Sequence, residues 1–440
     1  MALIIRSAVY GLRGGFLIRP LVIALSLGVA GAVISECEEA FPGLSTWVPR
    51  TLFPSRADPQ VAQIILASIA TSIMTVVSIV FAILLMTLTL ASMQFSPRIL
   101  VSFVRDRMTQ WTLGLFLGTF SYCMAALPAA RSIPAPFSPV ATVAGGMLLA
   151  LLCVGWLIFF INHISQAISV NHIVDRIAGE TEDVIDELMP HPRVRQWRPE
   201  GGAIVLKAPT VAVLSPVSGY VRYIDTRGLL SVAKASGVEF RVLRRAGHFV
   251  PAGVPLLMVG RSEKWREGAV SAVLAMFDIG PTRTLQQDVE FGVVQIVDIA
   301  LKAISPAVND PSTAITCLDQ LGRILIRWVG RDTPDRLLYD PPHVFRVAMP
   351  WLGLEGLLKT AFEQIRHYGE NDLPVSMRLV RVLHDIAVTT ADEGIRGALL
   401  ACGERVVEGC ARRLTAAALE ELQERFGGLE LEVRGVRSGR

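Results

Sequence analysis

From residue 61 to 92 the chain carries no charged side chain, a run of about thirty positions that as a helix measures roughly 48 Å against a hydrocarbon core of roughly 30 Å. Such a run predicts a membrane span. Three further apolar runs predict spans of their own, over 21–34, 111–130 and 137–161. The first extends back through Phe16 to Ile18 with Arg19 snorkelling. Arg6, Arg13 and Arg19 ahead of it give it the look of a signal peptide, but no small-x-small cleavage site follows and more spans come after, so a retained helix is expected.

Beyond Ile161 the pattern changes. Residues 162–188 hold no breaker except Gly179 and turn amphipathic, so the fourth helix is expected to continue out of the membrane until Pro190 and Pro192 end it. Between 208 and 259 short β-branched runs cut by glycine and proline predict strands at 211–214, 219–224, 229–232, 238–243 and 255–259. Apolar positions at helical spacing return over 352–367, 375–388, 393–410 and 414–426. The expected architecture is membrane α-helical followed by a cytosolic α+β region. Four transmembrane helices fill 1–170 and a helical linker 171–200; a small β-barrel-sandwich-like module fills 201–265, a helical domain 266–430 and a disordered tail 431–440.

Composition agrees with a membrane half joined to a soluble half. The 440 residues are 52% hydrophobic, the mean hydropathy is +0.47, and nearly all the charge lies after Ile161. The net charge of +3 without a long Lys/Arg block implies no nucleic-acid partner. Six cysteines, Cys37, Cys123, Cys153, Cys317, Cys402 and Cys410, form no CxxC pair and no metal spacing. His163 and His172 are nine apart, which is not the spacing of a helical metal pair. Basic residues set the orientation. Arg6, Arg13 and Arg19 precede span one, and Arg98, Arg105 and Arg107 lie between spans two and three. Arg50 and Arg56, diluted by Glu36, Glu38, Glu39 and Asp58, lie between spans one and two, and Arg131 alone separates spans three and four. The positive-inside rule then places the N-terminus and everything after Ile161 in the cytosol of a multi-pass membrane protein.

Within the spans the informative side chains are small and hydroxylated. Ser68, Thr71, Thr75, Ser78 and Ala82 follow spacings of three and four on span two, and the face continues through Thr89 and Ser92. Such a stripe serves close helix packing, or lines a path when several copies of the helix surround it. Gly114 and Gly118 on span three form a GxxxG pattern that predicts helix contact. No span carries Asp, Glu, Lys or Arg near its middle, which argues against an ion-coupled carrier. Ser96-Pro97 reads as a helix restart, and the piece that follows is either an interfacial helix offering Arg98, Arg105 and Arg107 to lipid phosphates or a plain connector.

In the soluble half, the pieces at 215–221 and 247–256 resemble those of barrel-sandwich domains related to biotinyl and lipoyl carriers. Lys234 lacks the neighbours of a carrier lysine, so a structural module without cofactor is expected. Asp288, Phe291, Asp298 and Lys302 are placed on one helix ended by Pro306. Then Asp310 caps a new helix begun by Pro311, with Asn309, Ser312 and Thr313 around its free N–H groups: a well-capped corner, or a place for a ligand.

The segment Ser92-Met93-Gln94-Phe95-Ser96-Pro97-Arg98 with Phe103, Asp106, Gln110, Leu113-Gly114 and Gly118-Thr119-Phe120 resembles a bacterial family of predicted membrane proteins known only as a domain of unknown function. Asp288, Phe291-Gly292, Ser305-Pro306 and Asn309-Asp310-Pro311 resemble its second block. Met93 stands where that family commonly has a second serine. The resemblance implies the architecture and no activity. Two readings of function follow. One is a homo-oligomeric channel or passive pore, with the hydroxyls of span two on the path and the soluble half as a vestibule. The other is a non-transporting sensor or scaffold that binds through the corner at Asn309 and Asp310. No nucleophile–base pair, metal cluster or phosphate loop is legible, so no enzyme is expected.

Overall fold

A computed structural model describes residues 18–41, 43, 48, 58–94, 107–133, 136–167, 169–189, 206–265, 268–332, 336–341 and 343–435. The chain divides into two compact units, one within 4–169 and one within 170–440.

The first unit holds four helices long and apolar enough to cross a membrane. They are α1 (Ile18–Ala40), α2 (Pro59–Gln94), α3 (Arg107–Ala126) and α4 (Val140–Ala167). Proline begins α2 where its missing N–H is no loss, and the Asp58 carboxylate accepts the Gln60 N–H at 2.9 Å. Helix α1 outlasts the apolar run that predicts it and carries Glu36, Glu38 and Glu39 in its last turns. The reason is tertiary. Glu38, 1% exposed, accepts the N–H groups of Ala141 (2.7 Å) and Thr142 (3.0 Å) and the Thr142 hydroxyl (3.0 Å), so α1 supplies the cap that α4 lacks in its own sequence. Glu39 pairs with Arg131 beside it.

Helices α1 and α3 pack at backbone distance. A Cβ at Gly114 would stand 2.6 Å from Ile23 Cδ1, one at Gly118 would strike Leu27 Cδ1, and one at Gly31 would lie 2.6 Å from the Tyr122 carbonyl. The GxxxG of α3 therefore serves a contact inside the chain. Helix α2 buries Ala62, Leu66, Ala70, Ile73 and Val80, a face at helical spacing that packs on Tyr122, Cys123 and Val143 at one end and Phe160 at the other.

The second unit begins with α5 (Val170–Leu188). The single helix expected to leave the membrane is two helices, since Ser169 between α4 and α5 is not helical. Two sheets follow. One has the order β1-β5-β3-β8-β7, built from β1 (Thr210–Leu214), β3 (Glu239–Val242), β5 (Pro255–Gly260), β7 (Leu337–Asp340) and β8 (Val344–Ala348), antiparallel except for the β3–β8 pair. The other is antiparallel β4-β2-β6, from β2 (Gly219–Ile224), β4 (Phe249–Val250) and β6 (Phe277–Gly280). Val213, Val221, Phe240, Val250, Leu257, Val259, Phe277 and Val347 share one core between them. The sheets do not close into a barrel, and they take β6, β7 and β8 from the range whose pattern predicts helices only.

The strand expected at 229–232 is instead the middle of helix α6 (Thr226–Ser236). Asp225 caps it by accepting the Gly228 N–H at 2.9 Å, Gly237 ends it at φ 66°, and Leu229 and Ala233 are buried one turn apart. Short α7 (Gly268–Leu274) covers the same core. The helical part comprises α8 (Val289–Ala303), α9 (Pro311–Val329), α10 (Leu354–Tyr368), α11 (Leu373–Val388), α12 (Glu393–Cys410) and α13 (Ala416–Val433). Asp288, Asp310, Asp372, Asp392 and Thr415 cap α8, α9, α11, α12 and α13. Asp288 thus precedes α8 rather than lying within it. Helix α13 runs through Val433, past the expected start of a disordered tail, and the last five residues lie outside the described ones.

Candidate functional site

Along α2 the face opposite the packed one carries Ser68, Thr71, Thr75, Ser78 and Thr89, all exposed. The Thr75 hydroxyl donates to the Thr71 carbonyl (3.1 Å), Ser78 to Met74 (3.0 Å) and Thr89 to Leu85 (2.8 Å). Each donor is satisfied on its own helix and each oxygen keeps acceptor lone pairs facing outward. Thr71, Thr75 and Ser78 line an open groove of ≈ 430 Å³, with Met74 on the same helix and Phe120, Met124 and Leu127 on its other wall. Ser68 and Thr89 belong to the stripe but not to that groove. The side chain of Ser92 lies outside the described residues. Of the three arginines expected at lipid headgroups, Arg107 is the exposed first residue of α3, and Arg98 and Arg105 lie outside the described residues with the rest of the restart at Ser96-Pro97.

At the corner before α9, Asn309 adopts φ 49° and is exposed, as is Ser312. The Asp310 carboxylate accepts the Thr313 N–H at 3.1 Å and the Thr313 hydroxyl at 2.6 Å, and these bonds hold its pKa below the usual carboxylate range. The backbone N–H groups of Val308, Asn309 and Asp310 bond to Ser305 and Ala303 carbonyls at 2.8–3.0 Å. The structure thus brings Asp310 and Thr313 together as a cap, and their polar atoms are engaged with the helix start.

A second constellation gathers residues of which only Asp288 and Phe291 stand out in the sequence. Arg283, between β6 and α8, grips Asp288 with two bonds (2.7 and 2.9 Å), reaches Glu290 at 3.2 Å, and stacks its guanidinium 5.3 Å from the Phe291 ring centroid. Arg245, between β3 and β4, meets Glu290 at 2.9 Å, and Thr360 of α10 donates to the same carboxylate at 3.2 Å. Asp288 is 2% exposed and also accepts the Phe291 N–H at 3.1 Å. Gly247, at φ 89°, lies so close to Asp288 that a Cβ would strike its carboxylate. Burial works to raise the Glu290 pKa, but the hydrogen bond and charge of Arg245, with those of Arg283, outweigh it and hold the carboxyl below its usual range. Burial and the Arg245 charge depress the imidazole of neighbouring His248. Both carboxylates are matched by guanidinium groups, so the cluster fastens the sheets to α8 and α10. Its signal in the sequence is Asp288, with Arg283 five residues before it; Arg245, Gly247 and Thr360 reach it only through the fold.

Among the described residues no group of three or more His, Cys, Asp or Glu side chains is placed to hold a metal. Lys234 lies on α6 and pairs with Asp340 of β7 at 2.7 Å. Gly292, from the second block, faces Thr181 with no room for a Cβ, which marks a close approach of α5 and α8.

The chain matches a family described as predicted membrane protein (DUF2254) over residues 13–385. It is 31% identical over 389 residues to the uncharacterized protein Rv1290c of Mycobacterium tuberculosis strain H37Rv, covering 86% of this chain and 72% of the relative. The same identity and coverage hold for the uncharacterized protein Mb1321c of Mycobacterium bovis. No solved structure matches. Four apolar helices, the α+β region that follows them and a match over most of its length together mean that this chain belongs to the DUF2254 family of predicted membrane proteins.

Proposed function

We propose that the protein is a homo-oligomeric channel or passive pore of the bacterial inner membrane, in which the hydroxyl face of α2 from several copies borders the path. One observation carries this reading: Thr71, Thr75 and Ser78 line an open groove that no other side chain of the same chain fills among the described residues. A hydroxyl that donates to its own helix, as those of Thr75, Ser78 and Thr89 do, tolerates lipid, but with Ser68 and Thr71 on the same face of an otherwise aliphatic span they offer a row of acceptor oxygens that lipid cannot use. A second copy of the face, across water, can. The basic flanks of the spans support cytosolic termini, and the soluble unit then forms a vestibule at that side. Its sandwich-like module is a structural element without cofactor, and Arg98, Arg105 and Arg107 contact lipid headgroups. The reading contains no catalytic step.

The test is oligomeric mass in detergent followed by salt flux in proteoliposomes. A ring-forming oligomer that passes ions is expected, and Thr75→Leu with Ser78→Leu should lower the flux at least tenfold while leaving the mass unchanged. A monomer or dimer without flux would sink the pore and favour a sensor or scaffold acting through Asn309, Asp310, Ser312 and Thr313.

A further inference from the structure

The loop between β1 and β2 and the turn between β4 and β5 are bound to each other. The Ser215 N–H donates to the Val254 carbonyl (2.9 Å), the Gly253 N–H to the Ser215 carbonyl (2.9 Å), and the Ala252 N–H to the Ser218 hydroxyl (2.9 Å). The Ser215 hydroxyl closes its own loop on the Val217 carbonyl at 2.6 Å. Tyr220 and Phe249, paired across β2 and β4, meet edge to face with centroids 5.2 Å apart. This fixed tip is apolar and exposed: Leu214 is 48%, Val217 49% and Phe249 51% accessible, with Pro216, Pro251 and Ala252 also exposed. No charged residue occurs in 214–221 or 249–257, within a part of the chain that holds most of the charge.

We infer that this tip inserts into the surface of the bilayer that the chain's own spans occupy. Two observations choose the occupant. Half-exposed Leu214, Val217 and Phe249 with exposed Pro216, Pro251 and Ala252 amount to roughly 500 Å² of apolar surface, under the roughly 800 Å² per partner that a stable protein interface needs. A bilayer contact needs no such area, because the four apolar helices of the same chain already hold the membrane at high effective concentration. The second is chemistry. The tip presents a Tyr–Phe pair and aliphatic residues on preorganised loops, with no carboxylate for anionic headgroups to repel and no ammonium to desolvate. The inference needs the bilayer and is independent of whether α2 borders a pore.

The experiment places a nitroxide on Val217→Cys in the full chain carrying Cys37→Ser, reconstituted in vesicles of phosphatidylcholine and phosphatidylglycerol, with Ser231→Cys on exposed α6 as the aqueous control. Collision with oxygen and with a water-soluble nickel chelate is read by power saturation. Insertion gives the Val217 label an oxygen-to-nickel accessibility ratio at least threefold above that of the control, and adding Phe249→Glu brings the ratio back to the control value. Equal ratios at both positions overturn the inference. So does a Val217 label shielded from both reagents with dipolar broadening between labels, which would mean that a second copy covers the tip.

Discussion

Asp310 and Gly247 show how single residues carry weight in this chain for reasons other than chemistry. Removing the Asp310 carboxylate leaves the Thr313 N–H and hydroxyl without their partner, so Asp310→Ala should cost about 1 kcal/mol, visible as a lower midpoint of thermal unfolding in detergent. The pH dependence has a definite sign. The Asp310 pKa is lower folded than unfolded, so its contribution is present above about pH 4, near the unfolded value, and is lost as pH falls through the folded one. The Ala variant should therefore lose less stability than the parent on acidification below pH 4. At Gly247 the backbone is left-handed and the space for a side chain is filled by the carboxylate of Asp288. Gly247→Ala should destabilise by about 2 kcal/mol or more, since it adds strain at a positive φ and displaces a buried carboxylate from Arg283. A midpoint within a degree of the parent would show that the loop carrying Gly247 relaxes away from Asp288.

At the scale of elements, the pair α1 and α3 depends on small residues facing each other. Gly118→Leu would force Leu27 out of its place and separate the helices, and α1 would then withdraw Glu38 from the start of α4. The expected outcome is a lower midpoint of thermal unfolding in detergent, and the same substitution at exposed Gly155, where a Cβ meets nothing, serves as the neutral control. The helices themselves are the most legible part of the sequence. Four uncharged runs need no partner to be recognised, because the bilayer imposes their length and composition. The same holds for the caps at Asp310 and Pro311, whose bonds are local. Helix α6 was not legible as such. Residues 229–232, Leu-Leu-Ser-Val, read alone as a short apolar run, and only the cap at Asp225 and the stop at Gly237, eleven helical residues apart, make them a turn of helix.

For the molecule as a whole, the sequence by itself determined what short-range physics determines: the apolar helices, the capped corner, the division into an apolar and a charged half, and the family. It also singled out Thr71, Thr75 and Ser78 by spacing, Asp288 by its place in a helical pattern, and Asp310 by its position before Pro311. Only the tertiary structure decided what those residues face. The α2 hydroxyls point away from the packed interior because Ala62, Leu66 and Ala70 on the other face make the closer contact. Asp288 is gripped locally by Arg283, five residues before it, but it is buried because the loop of Gly247 comes to it from between β3 and β4. Strand β8 joins β3 from about a hundred residues away, a pairing that no local pattern encodes. Glu38 reads in the sequence as a charge that ends a span, yet in the fold its carboxylate is the cap of α4. Periodicity reports the surroundings a residue needs; which neighbour provides them is settled only when distant segments are packed against one another.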